Sequence, residues 1–418
     1  MVYVLNKNGK PLMPCSEAKA KHLLKANRAK VKRKCPFTIQ LLWDCEENVQ
    51  EVVAGMDTGS KVVGTACISN GKVLYKAETF IRQDVSKKME QRRMYRRNRR
   101  SRKTRYRQCL FLNRGNSTRK DRLAPSMLSK LNAHLREKKF IESILPVTKW
   151  ILELASFDIT KISNPDIKVW EYTKGQQKGF YNVKAFILSR DNYTCQKCKT
   201  KKGKLNVHHI VFQSNNGTDS PENLITLCKD CHDKLHDGEF NIKGSQSKTK
   251  HATEIGIIKS QLKKEFGEFV ETFGYETKFK REQILELSKT HYNDAIAICC
   301  SEGEVVKDID NYWIRKCVSK GNYQQTKGSH SQMQLPTGKL FGFRKFDKVK
   351  TPLRVGFIKG KRSSGAFEIC DIFGHRFEKT VNAKKDMQRI SARKSILMEV
   401  ATIPPRPRGD GVSLSQVL

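Results

Sequence analysis

Cys195-Gln-Lys-Cys198 and Cys228-Lys-Asp-Cys231 stand 29 residues apart, and no other feature of this 418-residue chain restricts its folding as sharply. Each Cys-x-x-Cys pair offers two thiolates from one tight turn, and two pairs complete a tetrahedral metal site. The segment between them must therefore fold back on itself. The chain holds 13 cysteines, an odd number, which together with the paired spacing argues for a metal site in a reducing compartment and against a disulfide framework. Four thiolates leave no open position for water, so the predicted ion is a structural Zn²⁺.

The same segment concentrates histidine. Four of the ten histidines fall between His208 and His236, in the order His208-His209, then Cys231-His232, then His236, with Asn223-Leu-Ile-Thr-Leu between. Imidazoles can ligate a metal or act as a general base, the two functions that phosphodiester hydrolysis needs. The segment from Tyr193 to His236 resembles the HNH nuclease family, whose ββα-metal fold is often stapled by four cysteines. The resemblance rests on His208-His209-Ile210, the Asn216-Gly217 turn, Pro221-Glu222-Asn223-Leu224 and the ending Cys228-Lys-Asp-Cys231-His232. It implies that His209 is the base and His208 a ligand of Mg²⁺. Asn223 would orient the base or ligate the metal, and His232 would be a further ligand or stand behind one. His236, one helical turn on, fits some members of the family and not others. A zinc finger that only binds nucleic acid is the plainer reading, but it needs neither the paired histidines nor Asn223.

Charge narrows the partner. Lys and Arg exceed Asp and Glu by 39, which calls for a polyanion, and nucleic acid is the usual one. A membrane surface is the rival, but no run of 18 apolar residues exists to span a bilayer. Met1-Val-Tyr-Val-Leu-Asn-Lys has no signal-peptide layout, so a cytoplasmic protein is expected. The charge peaks in residues 82–107, which hold 13 Lys or Arg against Asp84 and Glu90, with no Pro or Gly. The run can form one helix of about 25 residues, about 38 Å long. It has almost no apolar stripe, and like charges at i,i+4 repel unless phosphates intervene.

Elsewhere the pattern predicts cores. Val52 to Met56 is a continuous apolar run, a strand buried on both faces, ending at Asp57. Strands Val62 to Ile68 and Val73 to Phe80 meet across Asn70-Gly71, a strong hairpin signal. Near the start lie a strand (Val2 to Leu5) and a basic helix from Ser16 to Ala29; a helix ending near Leu145 and a strand over Thr148 to Leu154 follow the basic run. Ile258, Leu262, Phe266, Phe269 and Phe273 mark an amphipathic helix over 257–273, and another is expected over Asn293 to Cys300. Residues 308–418 look β-rich, with strands at Lys339 to Phe346, Arg354 to Lys359 and Ala366 to Ile372 and a poorly ordered tail after Pro404. Cys299 and Cys300 read as core.

Three acids end up at element ends: Asp57 after its strand, Glu153 late in Trp150-Ile-Leu-Glu153, and Asp294 beside His291 at a helix start. Each alone is weak. Together they resemble the three motifs of a RuvC-like nuclease on an RNase H-type fold, in which separated acids hold two Mg²⁺ ions around an in-line displacement. The resemblance makes His291 a helper beside the metals. The interruptions, a basic helix after the first motif and the HNH segment between the second and third, resemble the transposon-encoded IscB family, compact relatives of type II CRISPR effectors. Pro11-Leu12-Met13-Pro14 and Arg96-Arg97-Asn98-Arg99-Arg100 match that family's N-terminal and bridge-helix signatures.

This resemblance divides a multidomain α/β chain into a PLMP domain (1–50), RuvC part I (51–81), the arginine-rich bridge helix (82–108), RuvC part II (109–163), the inserted HNH domain (164–250), RuvC part III (251–307) and a β-rich C-terminal domain (308–418). The RNase H-like sheet is split by the bridge helix and the insert. The C-terminal strands would form a small barrel or barrel pair that binds RNA and reads a target-adjacent motif, with Arg344, Lys345 and Lys348 as candidates only by charge. The implied activity is RNA-guided cutting of double-stranded DNA by a monomer carrying a noncoding guide RNA (ωRNA). HNH would cut the guide-paired strand and RuvC the displaced one. Arg92, Arg93, Arg96, Arg97, Arg99 and Arg100 would contact phosphates. Two other functions compete: a guide-independent HNH endonuclease of homing or restriction type, and an RNA-binding protein whose nuclease motifs are relics.

Overall fold

The computed structural model of the chain describes residues 1–101, 123–154, 182–212, 221–242, 249–301, 306–319 and 339–402. The far end of the basic run (102–107), the Asn216-Gly217 turn and the tail after Pro404 lie outside them. The described chain falls into two compact units, residues 156–257 and the remainder on either side.

The N-terminus forms β1 (Val2–Leu5), β2 (Pro11–Cys15), α1 (Glu17–Lys25), β3 (Ala29–Lys34) and β4 (Phe37–Leu41), in a sheet of order β2-β1-β4-β3. Pro11-Leu12-Met13-Pro14 is the edge strand β2, where prolines cost no ladder bonds. Ser16 caps α1, its Oγ accepting from the Lys19 N–H at 3.3 Å. The helix stops four residues short of the expected Ala29, because Asn27 turns left-handed (φ 54°) and Ala29 opens β3.

The next elements are β5 (Val53–Asp57), β6 (Val62–Ser69), β7 (Lys72–Phe80), α2 (Val85–Ser101), α3 (Pro125–Ile141) and β8 (Lys149–Glu153). The β6–β7 hairpin turns at Asn70 and Gly71 with φ of 46° and 66°, the two positive values a tight hairpin needs. The helix expected to run to Leu145 ends at Ile141.

Residues 182–242 hold α4 (Val183–Arg190), the antiparallel pair β9 (Leu205–His209) and β10 (Leu224–Cys228), and α5 (Lys229–His236). Two strands and a helix this short bury little, and their core is Cys195, Leu227, Cys228 and Leu235. A buried carboxylate helps to hold the turns: Asp191 accepts from the Thr226 N–H at 2.9 Å and from Arg190 Nε at 2.8 Å.

The chain then forms α6 (Thr249–Glu265), β11 (Val270–Thr272), α7 (Gly274–Phe279), a π-helical turn over Lys280–Ile284, and α8 (His291–Cys299). The single helix expected over 257–273 is corrected here. Ile258, Leu262 and Phe266 are buried as its stripe requires, but Gly267 at φ 89° breaks the run, and Phe273 is exposed after β11. The remaining strands are β12 (Asn311–Cys317), β13 (Lys348–Lys350), β14 (Val355–Lys361), β15 (Ala366–Cys370), β16 (Arg376–Asn382), β17 (Gln388–Ser391) and β18 (Ile396–Thr402). No strand covers Lys339 to Phe346: Phe341 and Gly342 (φ 49° and 83°) turn the chain so that Leu340 bonds Phe343 in both directions at 3.0 Å. Strands β13 to β17 form one five-stranded antiparallel sheet where a barrel is expected.

One seven-stranded sheet, β11-β8-β5-β6-β7-β12-β18, organises the larger unit. β5, β8 and β11 are parallel; β6 runs against its neighbours β5 and β7. One face packs on α3 and α6 through Met127, Leu131, Ile258, Leu262 and Phe266, and the other on Ala295, Ile296 and Cys299 of α8. α8 lies directly on the strand backbones because two positions lack side chains. A Cβ on Gly64 would stand 1.9 Å from His291 O, and one on Gly55 2.6 Å from Ala295 O. No helix of the described residues is long and apolar enough to cross a membrane.

Candidate functional site

The structure brings the singled-out residues into three clusters. In the first, the sulfurs of Cys195, Cys198, Cys228 and Cys231 lie within 4.8 Å of one another, Cys198 Sγ and Cys228 Sγ at 3.6 Å. A disulfide needs about 2.05 Å, whereas a zinc–sulfur bond of about 2.3 Å puts tetrahedral sulfurs about 3.8 Å apart. Cys228 caps α5 and Cys231 sits in its first turn, where the helix dipole favours thiolates. Burial works against a charged Cys195, but N–H groups of Cys198, Cys228 and Lys197 bring its thiol down to about 6. Burial and the three neighbouring sulfurs push Cys231 up to about 12. One thiolate forms readily and the last resists, which is what four sulfurs show when they need a cation. The group fits a structural zinc.

The second cluster is His208, His232 and His236, whose ring nitrogens lie within 4.8 Å of one another. His208 comes from β9, and the other two stand four apart on one face of α5. Ring centroids are 5.0 Å apart for His208 with either partner and 4.6 Å between His232 and His236. Burial, then the neighbouring imidazoles, lowers His208 to about 4, so it is neutral at ordinary pH, the form that ligates metal. Its Nε2 is buried with no hydrogen-bond partner among the described residues, an orphan that a divalent ion would satisfy. His209 follows on β9, so its side chain leaves the other face of the hairpin. Asn223 is buried just before β10. Its Oδ1 accepts from the Val211 N–H at 2.8 Å and its Nδ2 donates to Val211 O at 3.1 Å, pinning the backbone just past His209. The i,i+4 spacing of His232 and His236 is the sequence signal that earns His236 a place beside His208.

The third cluster lies at the ends of β5 and β8. Asp57 and Glu153 are Cα partners in their parallel register, and α8 presents His291 and Asp294 from its first turn. Asp57, His291 and Asp294 each place a ligand atom within 4.8 Å of the others. His291 Nδ1 lies 2.6 Å from Asp57 Oδ2, and this bond, above all, raises its pKa. Burial, then the charge of Asp57, raises Asp294. Glu153 reaches about 7: burial dominates, a hydrogen bond from Thr277 opposes it, and Asp57 and Asp294 add to the rise. Crowded carboxylates with raised pKa values are short of positive charge, and hard divalent ions supply it best. Two basic side chains reach the same carboxylates: His291, and Arg281, whose Nη1 lies 2.5 Å from Asp294 Oδ1. Sequence reasoning missed Arg281, which arrives on the π-helical turn, and Glu78, a half-buried β7 carboxylate that accepts from the His291 N–H at 3.2 Å. Neither carries a local signal, since an Arg among polar residues or a Glu in a strand reads as surface.

The basic run is helical over Val85–Ser101, and Arg92, Arg93, Arg96 and Arg97 are exposed. Arg99 and Arg100 lie on the same helix. In the C-terminal region Arg344 is exposed, Lys345 is half-buried, and Lys348 Nζ donates to Met398 O at 3.3 Å.

Comparison with known proteins matches two parts of the chain. The RRXRR protein family matches residues 2–175, and the HNH endonuclease family matches residues 195–238. Anaredoxin of Nostoc sp. is 32% identical over 73 residues, 18% of this chain and 86% of that protein. The type IV methyl-directed restriction enzyme EcoKMcrA of Escherichia coli is 37% identical over 62 residues, 13% of this chain and 22% of that enzyme. An HNH domain implies nuclease activity on DNA and a divalent metal, which the second cluster is equipped to hold. The chain therefore belongs with the HNH endonucleases and carries an RRXRR domain ahead of its HNH unit.

Proposed function

We propose that this chain is an RNA-guided DNA endonuclease of the IscB type with two active sites. The observation that carries the reading is the order β7-β6-β5-β8-β11. Numbered along the chain it is 3-2-1-4-5, with the first, fourth and fifth strands parallel and the second reversed, as in an RNase H-type fold. Asp57, Glu153 and Asp294 come from its first strand, its fourth strand and the helix lying on them, as a RuvC-type site requires. The polypeptide of this sheet is interrupted by α2 after β7 and by the HNH unit after β8. A lone HNH nuclease has no need of an acid cluster on a separate sheet or an arginine helix.

In the HNH unit, His209 would take the proton of the attacking water, His208, His232 and His236 would hold a divalent ion, and Asn223 fixes the backbone beside the base. At the acid cluster, Asp57, Glu153 and Asp294 would hold two Mg²⁺, and His291 would orient Asp57 and shuttle protons. Bound ions supply the Lewis-acid charge that the phosphate and departing oxygen need. Arg92, Arg93, Arg96, Arg97, Arg99 and Arg100 grip the phosphates of a guide RNA and its heteroduplex with target DNA.

The test is strand-specific cutting by the RNA-loaded protein in Mg²⁺. His209→Ala should cut only the displaced strand, and Asp57→Ala only the guide-paired strand. Loss of both cuts in either variant would refute two independent sites. The likeness to a restriction enzyme favours a second reading, a guide-independent HNH endonuclease. Protein purified at high salt from cells that also express its flanking DNA decides between them. One defined retained RNA supports guidance, and cutting that survives its removal supports the alternative.

A further inference from the structure

We infer that Glu78 is a positioning residue of the acid cluster: it seats the N-terminus of α8 over the bare backbone at Gly64 and so fixes His291 against Asp57. The inference rests on the two-site reading and adds to it a residue that acts through others. The sheet register puts the parts in one row. Glu153 pairs with Asp57, Asp57 with Gly64, and Gly64 with Glu78, across β8, β5, β6 and β7. Side chains directly opposite one another share a face of the sheet, so three carboxylates line the row on the side that α8 covers. The gap in the row is Gly64, where a Cβ would stand 1.9 Å from His291 O. His291 therefore lies over the gap with a carboxylate on each side.

Both carboxylates are bonded to it. The His291 ring meets Asp57 Oδ2 at 2.6 Å, and Glu78 Oε1 accepts from the His291 N–H at 3.2 Å. The Tyr292 N–H bonds Glu78 as well. A helix begins with N–H groups that have no partner within it, and partial positive charge gathers there. In α8 the N–H groups of His291 and Tyr292 go to Glu78, and that of Asn293 goes to Thr290 Oγ1 at 3.2 Å. Asp294 then starts the helical ladder with a bond to Thr290 O at 2.9 Å. Such a helix end is a reason for a carboxylate to stand half-buried in a central strand, where acids are disfavoured. The neighbouring cation on the same face of β7, Lys76, is committed elsewhere, its Nζ bonding both oxygens of Asp308 at 2.7 Å. Held by backbone and ring, His291 fixes the first turn of α8, which also carries Asp294.

The experiment uses the full chain loaded with its RNA. Glu78→Val keeps a strand former but no acceptor, Glu78→Ala does the same without the branch, and Glu78→Gln keeps the acceptor. Amide hydrogen exchange over residues 288–299 reports the seating without any cutting. It should quicken about tenfold in the Val and Ala variants, the size of a lost cap, and stay unchanged in the Gln variant. Single-turnover cutting of the displaced strand in Mg²⁺ separates a misplaced site from a misfolded one. Its rate constant should fall about tenfold or more in the Val and Ala variants with its amplitude kept, and the Gln variant should keep the parent rate. Cutting of the guide-paired strand should be alike in all. Unchanged exchange in the Val and Ala variants would overturn the proposal. So would an equal loss in the Gln variant, since the acceptor would then not matter, or a fall in amplitude alone, the mark of misfolding. The two readings fail separately. Unchanged exchange while Asp57→Ala still leaves a nickase sinks only the seating. Quickened exchange with an Asp57→Ala protein that cuts both strands sinks only the acid site as a nuclease.

Discussion

The histidine cluster and the acid cluster are two groups of possible metal ligands with opposite constructions. The first is built from residues 195–238, two short strands and one helix, and is held by sulfur. The second joins Asp57 to His291, 234 positions away, and is held by the sheet of the larger unit. A local site depends on its staple and a distributed site on its packing. The two should therefore fail under different insults.

The largest expected effect is metal removal. Structural zinc contributes on the order of 10 kcal/mol to folding of small domains, more than the insert's few buried apolar residues can offset. Stripping zinc, or Cys231→Ser, should unfold residues 182–242, seen as rapid proteolysis there, and abolish one strand's cutting while sparing the other. An insert that stays protected without zinc would remove the distinction between stapled and packed sites.

Gly64→Ala is the mirror-image insult. Its Cβ would lie 1.9 Å from backbone, the His291 carbonyl oxygen, so α8 must shift and take His291 and Asp294 with it. The cost should be about 3 kcal/mol or more. Thermal unfolding of the larger unit should drop, and acid-cluster cutting should vanish while the insert keeps its zinc. Normal displaced-strand cutting in this variant would mean that α8 does not depend on the bare strand beneath it.

The same contrast governs what could be read from sequence. Cysteine spacing and the His232–His236 interval encode contacts made within one turn or hairpin, so local pattern carries them. The hairpin at Asn70-Gly71 and the burial of Ile258, Leu262 and Phe266 were legible for the same reason. Arg281 and Glu78 enter the acid cluster only when a π-helical turn and β7 are brought against α8, and no local pattern announces that. The helix expected over 257–273 failed at Gly267, where a left-handed residue outweighed an apolar period that ran through it. The acids themselves were found through their order along the chain, not through any property of a single position.

Asn223→Ala sharpens the comparison within the insert. It removes both bonds to the Val211 backbone and should cost about 2 kcal/mol. With the three rings intact, zinc content should be unchanged, and cutting by the HNH unit should fall through misplacement of His209. If instead the affinity for the catalytic metal fell while kcat at saturating metal was unchanged, Asn223 would act on the ligands and not on the base.

The smallest effect concerns pH at the acid cluster without Mg²⁺. Glu153 is raised from 4.5 to about 7, chiefly by burial, so the folded protein holds its proton more tightly than the unfolded chain. The stability this group contributes is present below about pH 4.5 and is lost as pH rises towards 7. In Mg²⁺-free buffer that leaves zinc in place, Glu153→Gln should stabilise the larger unit at pH 8 by ~1 kcal/mol, allowing for partial exposure, and by nothing at pH 4.5. Adding Mg²⁺ should reverse the ranking, because only the carboxylate gains from the ions. A variant whose advantage is the same at both pH values would show that Glu153 is not strained by its neighbours, and the cluster would lose its resemblance to an ion-binding site.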